Sequence, residues 1–224
     1  MLQRHGDADG LTPVTARRAL LVVVALLLAL VGGILLGRAL PTAPGEQSVD
    51  VGFARDMSTH HAQAVSMAFE AIGTAPTPEV RQLAVDIVGT QQNQVGRMQE
   101  LLVVWGRPLV SQTPAMAWMT GTDVHTRHLA AQAATGSTLM PGMATGAELA
   151  RLQSETGEVF EVDFLQLMLR HHEGGIQMAE VGAARATTPE VRDLATAIEQ
   201  SQQGEVTVLT DLLAERGAQP LPAP

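Results

Sequence analysis

The sequence has no cysteine and no lysine. Neither residue occurs among its 224 positions, and all 14 basic residues are arginine. The absence of cysteine excludes disulfide bonds, thiolate metal sites and cysteine nucleophiles. With no lysine and a net charge of -9, the chain has no basic patch of the kind that binds nucleic acid. Any soft-metal chemistry must therefore use methionine.

Aromatic residues are also scarce. They make up 3% of the chain and include no tyrosine, whereas the hydrophobic fraction is 46%. Alanine, leucine, valine, glutamine and methionine dominate, and they suit helices better than sheets. The hydrophobic fraction is large enough for a buried core. We therefore expect an all-α protein.

One long uncharged run lies near the N-terminus. Residues 19–37 carry no charge and follow Arg17 and Arg18. A run of this length is just sufficient to span a bilayer, and the arginine pair favours a cytoplasmic N-terminus. The pattern predicts an N-terminal transmembrane helix at 19–37, with the rest of the chain outside the cytoplasm. A cleaved signal peptide, which would leave a secreted or periplasmic protein, is the alternative.

A cluster of histidine and methionine residues occurs twice with identical spacing. In each copy an adjacent histidine pair has a methionine one helical turn before it and another two turns after it. The first copy contains Met57, His60, His61 and Met67, and the second contains Met168, His171, His172 and Met178. A shift of 111 residues relates the copies and extends without a gap from residues 53–106 to 164–217. The chain therefore contains a duplicated segment.

Local signals divide each copy into two helices. Apolar residues recur at steps of three and four from about residue 50 to residue 72, which is typical of a helix. Thr77 followed by Pro78 indicates the start of a second helix, and Gly106 suits its end. The same signals recur in the second copy. Two such hairpins, neither able to bury its apolar face alone, predict a four-helix bundle with an approximate two-fold axis.

The remaining segments connect and flank this domain. We expect a cytoplasmic N-terminus at residues 1–18, a linker at 38–49, the domain at 50–217 and a tail at 218–224. The two repeats are joined by residues 107–152, a long connection rich in methionine, proline and glycine. Connections of this length are often functional.

Two shorter helical segments are expected within this connection. One lies at about residues 125–134, and Thr145 with Glu148 forms a capping-box pattern that starts the other. Met140 and Met143 lie between the two segments. Their thioethers could cover or extend a metal site.

Imidazole and thioether groups together favour copper. Thioether sulfur prefers Cu(I), whereas neutral imidazole serves Cu(I), Cu(II) and zinc, so copper is expected ahead of zinc. On an ideal helix the four groups of one copy lie on two edges of an arc of about 120°, so one helix cannot enclose an ion. Two helices, or one helix with the connection, could complete a site. Gln91, Gln202 and Glu205 could hold the free ring nitrogens of the histidines, or could bond one another.

The same residues also have a structural interpretation. Methionine at helical spacing is a common core residue, and hydrogen bonds alone can hold a buried histidine pair. Duplication copies structural residues as faithfully as ligands, so the residues leave a structural or partner-binding module open beside metal binding. A di-metal oxidase ranks third, because no histidine has a glutamate three residues before it, as ferritin-like di-metal sites require. No nucleophile with a companion base is visible, and we expect no enzyme.

Several motifs resemble a known family. They are a histidine pair with methionine seven residues after its first member, the segment FLQLMLRHHEGGIQMAE, and Met-Pro-Gly-Met at 140–143. Over about residues 50–217 the chain resembles the DUF305 family of bacterial exported proteins, whose members include copper-binding proteins. The resemblance implies a ferritin-like four-helix bundle and copper binding or tolerance outside the cytoplasm. It points to the repeated histidine and methionine residues and to Met140 and Met143, and it leaves a protein partner or homodimer open.

Overall fold

The structure is a computed structural model in which the described residues are helices and their connections. It describes residues 13–39, 42–111 and 113–222. No strand occurs within these ranges, and the predicted all-α class is confirmed. The chain divides into two units, residues 1–43 and 44–224.

The first unit contains helix α1, which spans Pro13–Ala39. In the part of the chain that the structure describes, no helix is both long enough and apolar enough to cross a membrane. The predicted transmembrane segment at 19–37 is thus not supported by the structure. Several predicted segments lie partly outside the described residues: the N-terminus at 1–12, the side chains at 34–37, the linker at 40–41 and the tail at 223–224.

Four long helices form most of the second unit. They are α2 (Val49–Thr74), α3 (Pro78–Val104), α6 (Gly157–Arg185) and α7 (Pro189–Glu215). The predicted starts of α3 and α7 at threonine followed by proline are confirmed. Gly106 and Gly217 adopt φ angles of 65° and 63°, the left-handed conformation that ends a helix and favours glycine.

These helices pack as two hairpins. Helix α2 packs along α3, α6 packs along α7, and α2 and α6 contact each other, whereas α3 and α7 meet only briefly. The contact between α2 and α6 is close at Gly182, where a Cβ atom would lie 2.6 Å from the ring of Phe53. Helices α2 and α6, which carry the histidine pairs, therefore form the centre of the second unit.

Each hairpin supplies a carboxylate that caps a helix of the other hairpin. Asp50, in the first turn of α2, accepts the backbone N–H of Thr187 at 3.1 Å and of Thr188 at 2.8 Å, before the start of α7. Glu161 on α6 accepts the backbone N–H of Thr77 at 2.7 Å, before the start of α3. Carboxylates are stabilising at helix N-termini because they satisfy free N–H groups and face the positive end of the helix dipole. These crossed caps fix one hairpin against the other.

The connection between the repeats packs on α2. It contains a short 3-10 helix (Ala117–Met119), α4 (Asp123–Thr135) and α5 (Gly146–Ser154), which the predicted capping box starts. The carboxylate of Asp56 accepts the N–H of Met116 at 2.7 Å and the indole N–H of Trp118 at 2.8 Å. The Trp118 ring packs edge-on against Phe53, with ring centroids 5.8 Å apart. One end of the connection is therefore fixed to the core.

Candidate metal centre

A polar layer crosses the core of the second unit. On each long helix, polar residues separate two apolar stretches that belong to two different core clusters. The layer consists of His60 and His61 on α2, Gln91 and Gln94 on α3, His171 and His172 on α6, and Gln202 and Glu205 on α7. The side chain of Glu205 is 16% exposed, and the other seven residues are buried. The sequence-predicted histidines therefore meet in one plane of the core.

The predicted methionine ligands lie on both sides of this layer. Met57, Met140 and Met178 belong to one apolar cluster, and the half-buried Met143 packs against it. Met67 and Met168 belong to the other cluster. The fold thus divides the six methionines between two flanks.

The four imidazole rings form a row across the contact between α2 and α6. The ring centroids of His60 and His171 lie 3.8 Å apart at an interplanar angle of 36°. His61 lies 6.5 Å from His60, and His172 lies 6.3 Å from His171. Among the described residues, no three histidine, aspartate or glutamate side chains are grouped so as to hold a metal ion.

Three of the four rings are held through Nε2. The pairs are His60 with the carbonyl oxygen of Pro141 at 3.0 Å, His61 with the amide oxygen of Gln94 at 2.8 Å, and His172 with the carboxylate of Glu205 at 2.5 Å. Because each partner is an oxygen acceptor, Nε2 carries a proton, and in the neutral form of such a ring Nδ1 carries the lone pair. All three Nδ1 atoms are buried without a hydrogen-bond partner, and neither ring nitrogen of His171 has one.

Burial keeps the imidazoles of His60, His61 and His171 neutral. It lowers the pKa of His60 to about 4, and burial together with the neighbouring His60 lowers the pKa of His61 to about 3. Burial also lowers the pKa of His171 well below its usual value, with the other three histidines contributing. Neutral imidazole is the form that binds metal ions.

The glutamines of the layer have unequal roles. Gln94 bonds His61, as Glu205 bonds His172, and the two positions are related by the repeat. Gln91 and Gln202 bond no histidine ring, and both polar atoms of each amide are buried without a partner. The sequence prediction did not include Gln94 as a partner of a histidine ring. The shift of 111 residues, which relates Gln94 to the predicted Glu205, indicated it. Unpartnered buried polar atoms are costly, and in this layer they include imidazole nitrogens and amide oxygens, which can bind a cation, as well as amide nitrogens, which cannot.

The Met-Pro-Gly-Met segment, residues 140–143, covers the layer from one side. The carbonyl of Pro141 that accepts from His60 lies against α6 at Gly174, where a Cβ atom would be only 2.1 Å from that oxygen. The side-chain amide of Gln63 pairs with both backbone groups of Ala144, at 2.7 and 3.0 Å. The segment is thus fixed over both histidine helices.

Comparison with known proteins places the chain in a family. The sequence profile described as "Domain of unknown function (DUF305)" matches residues 50–213. The chain belongs to the DUF305 family. No curated protein matches it.

Two solved DUF305 structures are similar in sequence and fold. One is a protein of Streptomyces coelicolor that is named as a predicted secreted protein; it is 42% identical, with a TM-score of 0.69, over 80% of this chain and 99% of that one. The other is a DUF305 fragment from Deinococcus radiodurans, 31% identical with a TM-score of 0.61, over 78% of this chain and 99% of that one.

The protein CopM has the same fold. Its Cu(I)-bound form is 22% identical to this chain, with a TM-score of 0.56, over 74% of this chain and 96% of that one. CopM is also known in Cu(II)-bound, silver-bound and metal-free forms. At this identity the similarity shows the fold alone.

A cavity of about 390 Å³ opens beside the covering segment of this DUF305 domain. Its lining includes Met140, Met143 and His128, together with the ion pair of Arg170 and Glu148. Burial raises the pKa of Glu148, but hydrogen bonds led by that from Arg170 outweigh it and lower the pKa to about 2. The pair is therefore charged, and the cavity presents thioether groups beside the histidine layer.

Proposed function

We propose that this DUF305 protein binds copper outside the cytoplasm, using the histidines of the polar layer and the methionines that flank it. Binding would serve sequestration, tolerance or delivery to an acceptor, without turnover. The observation that supports this most strongly is the row of four buried histidines, each of which has a buried Nδ1 atom without a hydrogen-bond partner. Neutral imidazole and thioether together suit both copper states, and copper is favoured over zinc.

Three further observations support the proposal. In three rings the Nε2–H group donates to a carbonyl, an amide or a carboxylate oxygen. This arrangement orients histidine ligands in metal sites. Six methionines flank the rings. CopM, which shares the fold, has been solved with Cu(I), Cu(II) and silver.

The proposal includes the finer architecture and location. The domain at 50–217 would be a ferritin-like four-helix bundle, held at the outer face of the membrane by residues 19–37. Fractionation of cells that make the full chain tests this tether. We expect the protein in the membrane fraction after a high-pH wash, and release into the soluble fraction at reduced size would instead indicate a cleaved signal peptide.

Titration of the purified full chain with Cu(I) and Cu(II) tests the function. We expect dissociation constants tighter than about 1 µM, and loss of this binding when His60, His61, His171 and His172 are all replaced by alanine. The control is His125→Ala on α4, which removes an imidazole outside the layer and should leave the affinity unchanged. Wild-type binding weaker than about 1 µM for both ions would refute the proposal.

A structural or partner-binding module is the second candidate. The stacking of His60 on His171 at 3.8 Å and the three ring hydrogen bonds favour it, because they join the helices without a metal. The two candidates differ in melting behaviour. A bound ion stabilises the folded chain by about 2.7 kcal/mol at 100 times its dissociation constant, whereas a metal-free module would melt at the same temperature with or without copper.

The di-metal oxidase remains the third candidate. It would oxidise Fe(II) with turnover, which can be followed by oxygen consumption of the purified chain. We expect none above the rate of the buffer.

A further inference from the structure

Each half of the histidine layer contains one histidine that bonds a side chain of the next helix, and these two pairs correspond in position but differ in one charge. His61 bonds Gln94, and His172 bonds Glu205; both pairs span 33 residues and join the first helix of a hairpin to the second. The shift of 111 residues that relates the two repeats takes the first pair onto the second. The first ring is therefore backed by a neutral amide and the second by a carboxylate.

The carboxylate of Glu205 forms a hydrogen bond with His172. The bond is 2.5 Å long, the His172 side chain is fully buried and that of Glu205 is 16% exposed. Within the described residues no arginine forms an ion pair with Glu205. Its charge therefore acts mainly on the imidazole, and through it on whatever Nδ1 binds.

A carboxylate partner changes the ligand character of an imidazole. It draws the Nε2 proton toward itself, which makes Nδ1 a stronger electron donor. It also adds a negative charge near the site, and that charge attracts Cu(II) more than Cu(I) because the charge of the ion enters the interaction directly. An amide partner orients the ring equally well but supplies no charge.

We propose that Glu205 makes the His172 half of the layer the Cu(II)-stabilising half, while the His61 half, backed by Gln94, favours Cu(I). The proposal rests on the copper binding proposed above. Glu205 acts through His172 and is a positioning residue rather than a ligand. Its effect is on the relative affinity for the two oxidation states.

Exchange of the two partners tests this in the full chain. Glu205→Gln gives the second half the partner of the first, and Gln94→Glu does the reverse. Cu(I) and Cu(II) affinities are measured for each by competition with chelators, and their ratio gives the reduction potential of the bound ion. We expect Glu205→Gln to lower Cu(II) affinity about 10-fold with a smaller change for Cu(I), so that the potential rises by up to about 59 mV.

The other variants define the controls. Gln94→Glu should raise Cu(II) affinity and lower the potential, and the double exchange, which preserves net charge, should return it toward the wild-type value. Asp193→Asn removes a charge from an exposed position of α7 about 18 Å away along the helix. It should leave both affinities unchanged.

The outcomes separate the two proposals. If the wild-type chain binds neither ion, both fail. If it binds copper but Glu205→Gln changes neither affinity, or lowers both equally, the role of Glu205 is refuted while copper binding stands. Should Glu205→Gln not fold, Gln94→Glu decides, and an unchanged potential in that variant refutes the proposal.

Discussion

At the scale of single residues, the candidate metal centre depends on the absence of a side chain at Gly174. A Cβ atom there would lie 2.1 Å from the carbonyl oxygen of Pro141, which accepts the hydrogen bond from His60. Because the opposing atom belongs to the backbone, it cannot rotate away. The glycine thus allows the covering segment to lie on α6 and to orient the first histidine.

We predict that Gly174→Ala destabilises the fold. Overpacking costs about 1–3 kcal/mol, which exceeds the gain of about 0.5–1 kcal/mol that alanine brings to a helix interior. The free energy of unfolding by urea measures the difference. Gly204→Ala on α7 is the control, because no atom lies within 4 Å of its added Cβ, and it should stabilise. Equal effects of the two substitutions would contradict the close approach.

At the level of single residues the sequence indicated the candidate ligands better than the groups that hydrogen-bond to them. Residue type and spacing predict the repeated histidines and methionines, because ligand chemistry is local. The partner of His60 is a backbone carbonyl of Pro141, 81 residues away, and no residue type marks it. To predict Gln94 as the partner of His61, the repeat would have to be combined with the register between α2 and α3. Only the packed hairpin defines that register.

At the scale of the helices, the carboxylates of Asp50 and Glu161, which cap α7 and α3, make the stability of the fold depend on pH. Burial raises the pKa of Asp50, but the donors of Thr187 and Thr188 outweigh it and leave the pKa below its usual value. Burial likewise raises the pKa of Glu161, but hydrogen bonds from Thr77 and Arg216 outweigh this effect, and the net result is a lowered pKa. A carboxyl whose pKa falls on folding adds stability above its unfolded pKa of about 4, and this stability is lost as the pH falls through the folded value.

We predict that Asp50→Ala lowers the free energy of unfolding by about 1 kcal/mol at neutral pH. The variant should also lose part of the acid sensitivity of the wild type, so that the two stabilities converge as the pH falls below about 4. Urea unfolding at several pH values measures both effects.

Glu190→Ala is the matched control for this cap. Glu190 lies in the first turn of α7 but is exposed, and its removal should change stability by only a few tenths of a kcal/mol. A constant difference between wild type and Asp50→Ala across the pH range would exclude the proposed charge effect.

Helix bounds were largely predictable, whereas the caps were not. Threonine followed by proline marks the starts of α3 and α7, and glycine marks their ends, because these residues act on their own backbone. The donors to Asp50 and Glu161 lie 137 and 84 residues away from them. Such contacts exist only after the hairpins have packed.

At the scale of the whole molecule, the duplicated sequence places a polar layer between two apolar clusters in the described part of the second unit. The duplicated register predicted two hairpins that pack against each other. It did not predict that His60 and His171 would stack, or that the two flanks would receive four and two of the candidate methionines. Those outcomes depend on the contact of α2 with α6 and on the connection, which adds Met140 and Met143 to one flank.

X-ray absorption at the copper K-edge of the Cu(I)-loaded full chain tests the central claim most directly. We predict both nitrogen and sulfur neighbours of the copper ion, because the imidazoles lie between two clusters of thioethers. The variant in which alanine replaces all four histidines of the layer should retain no copper and give no such spectrum. A wild-type chain that retains no copper, or that holds copper with oxygen and nitrogen neighbours only, would contradict the account.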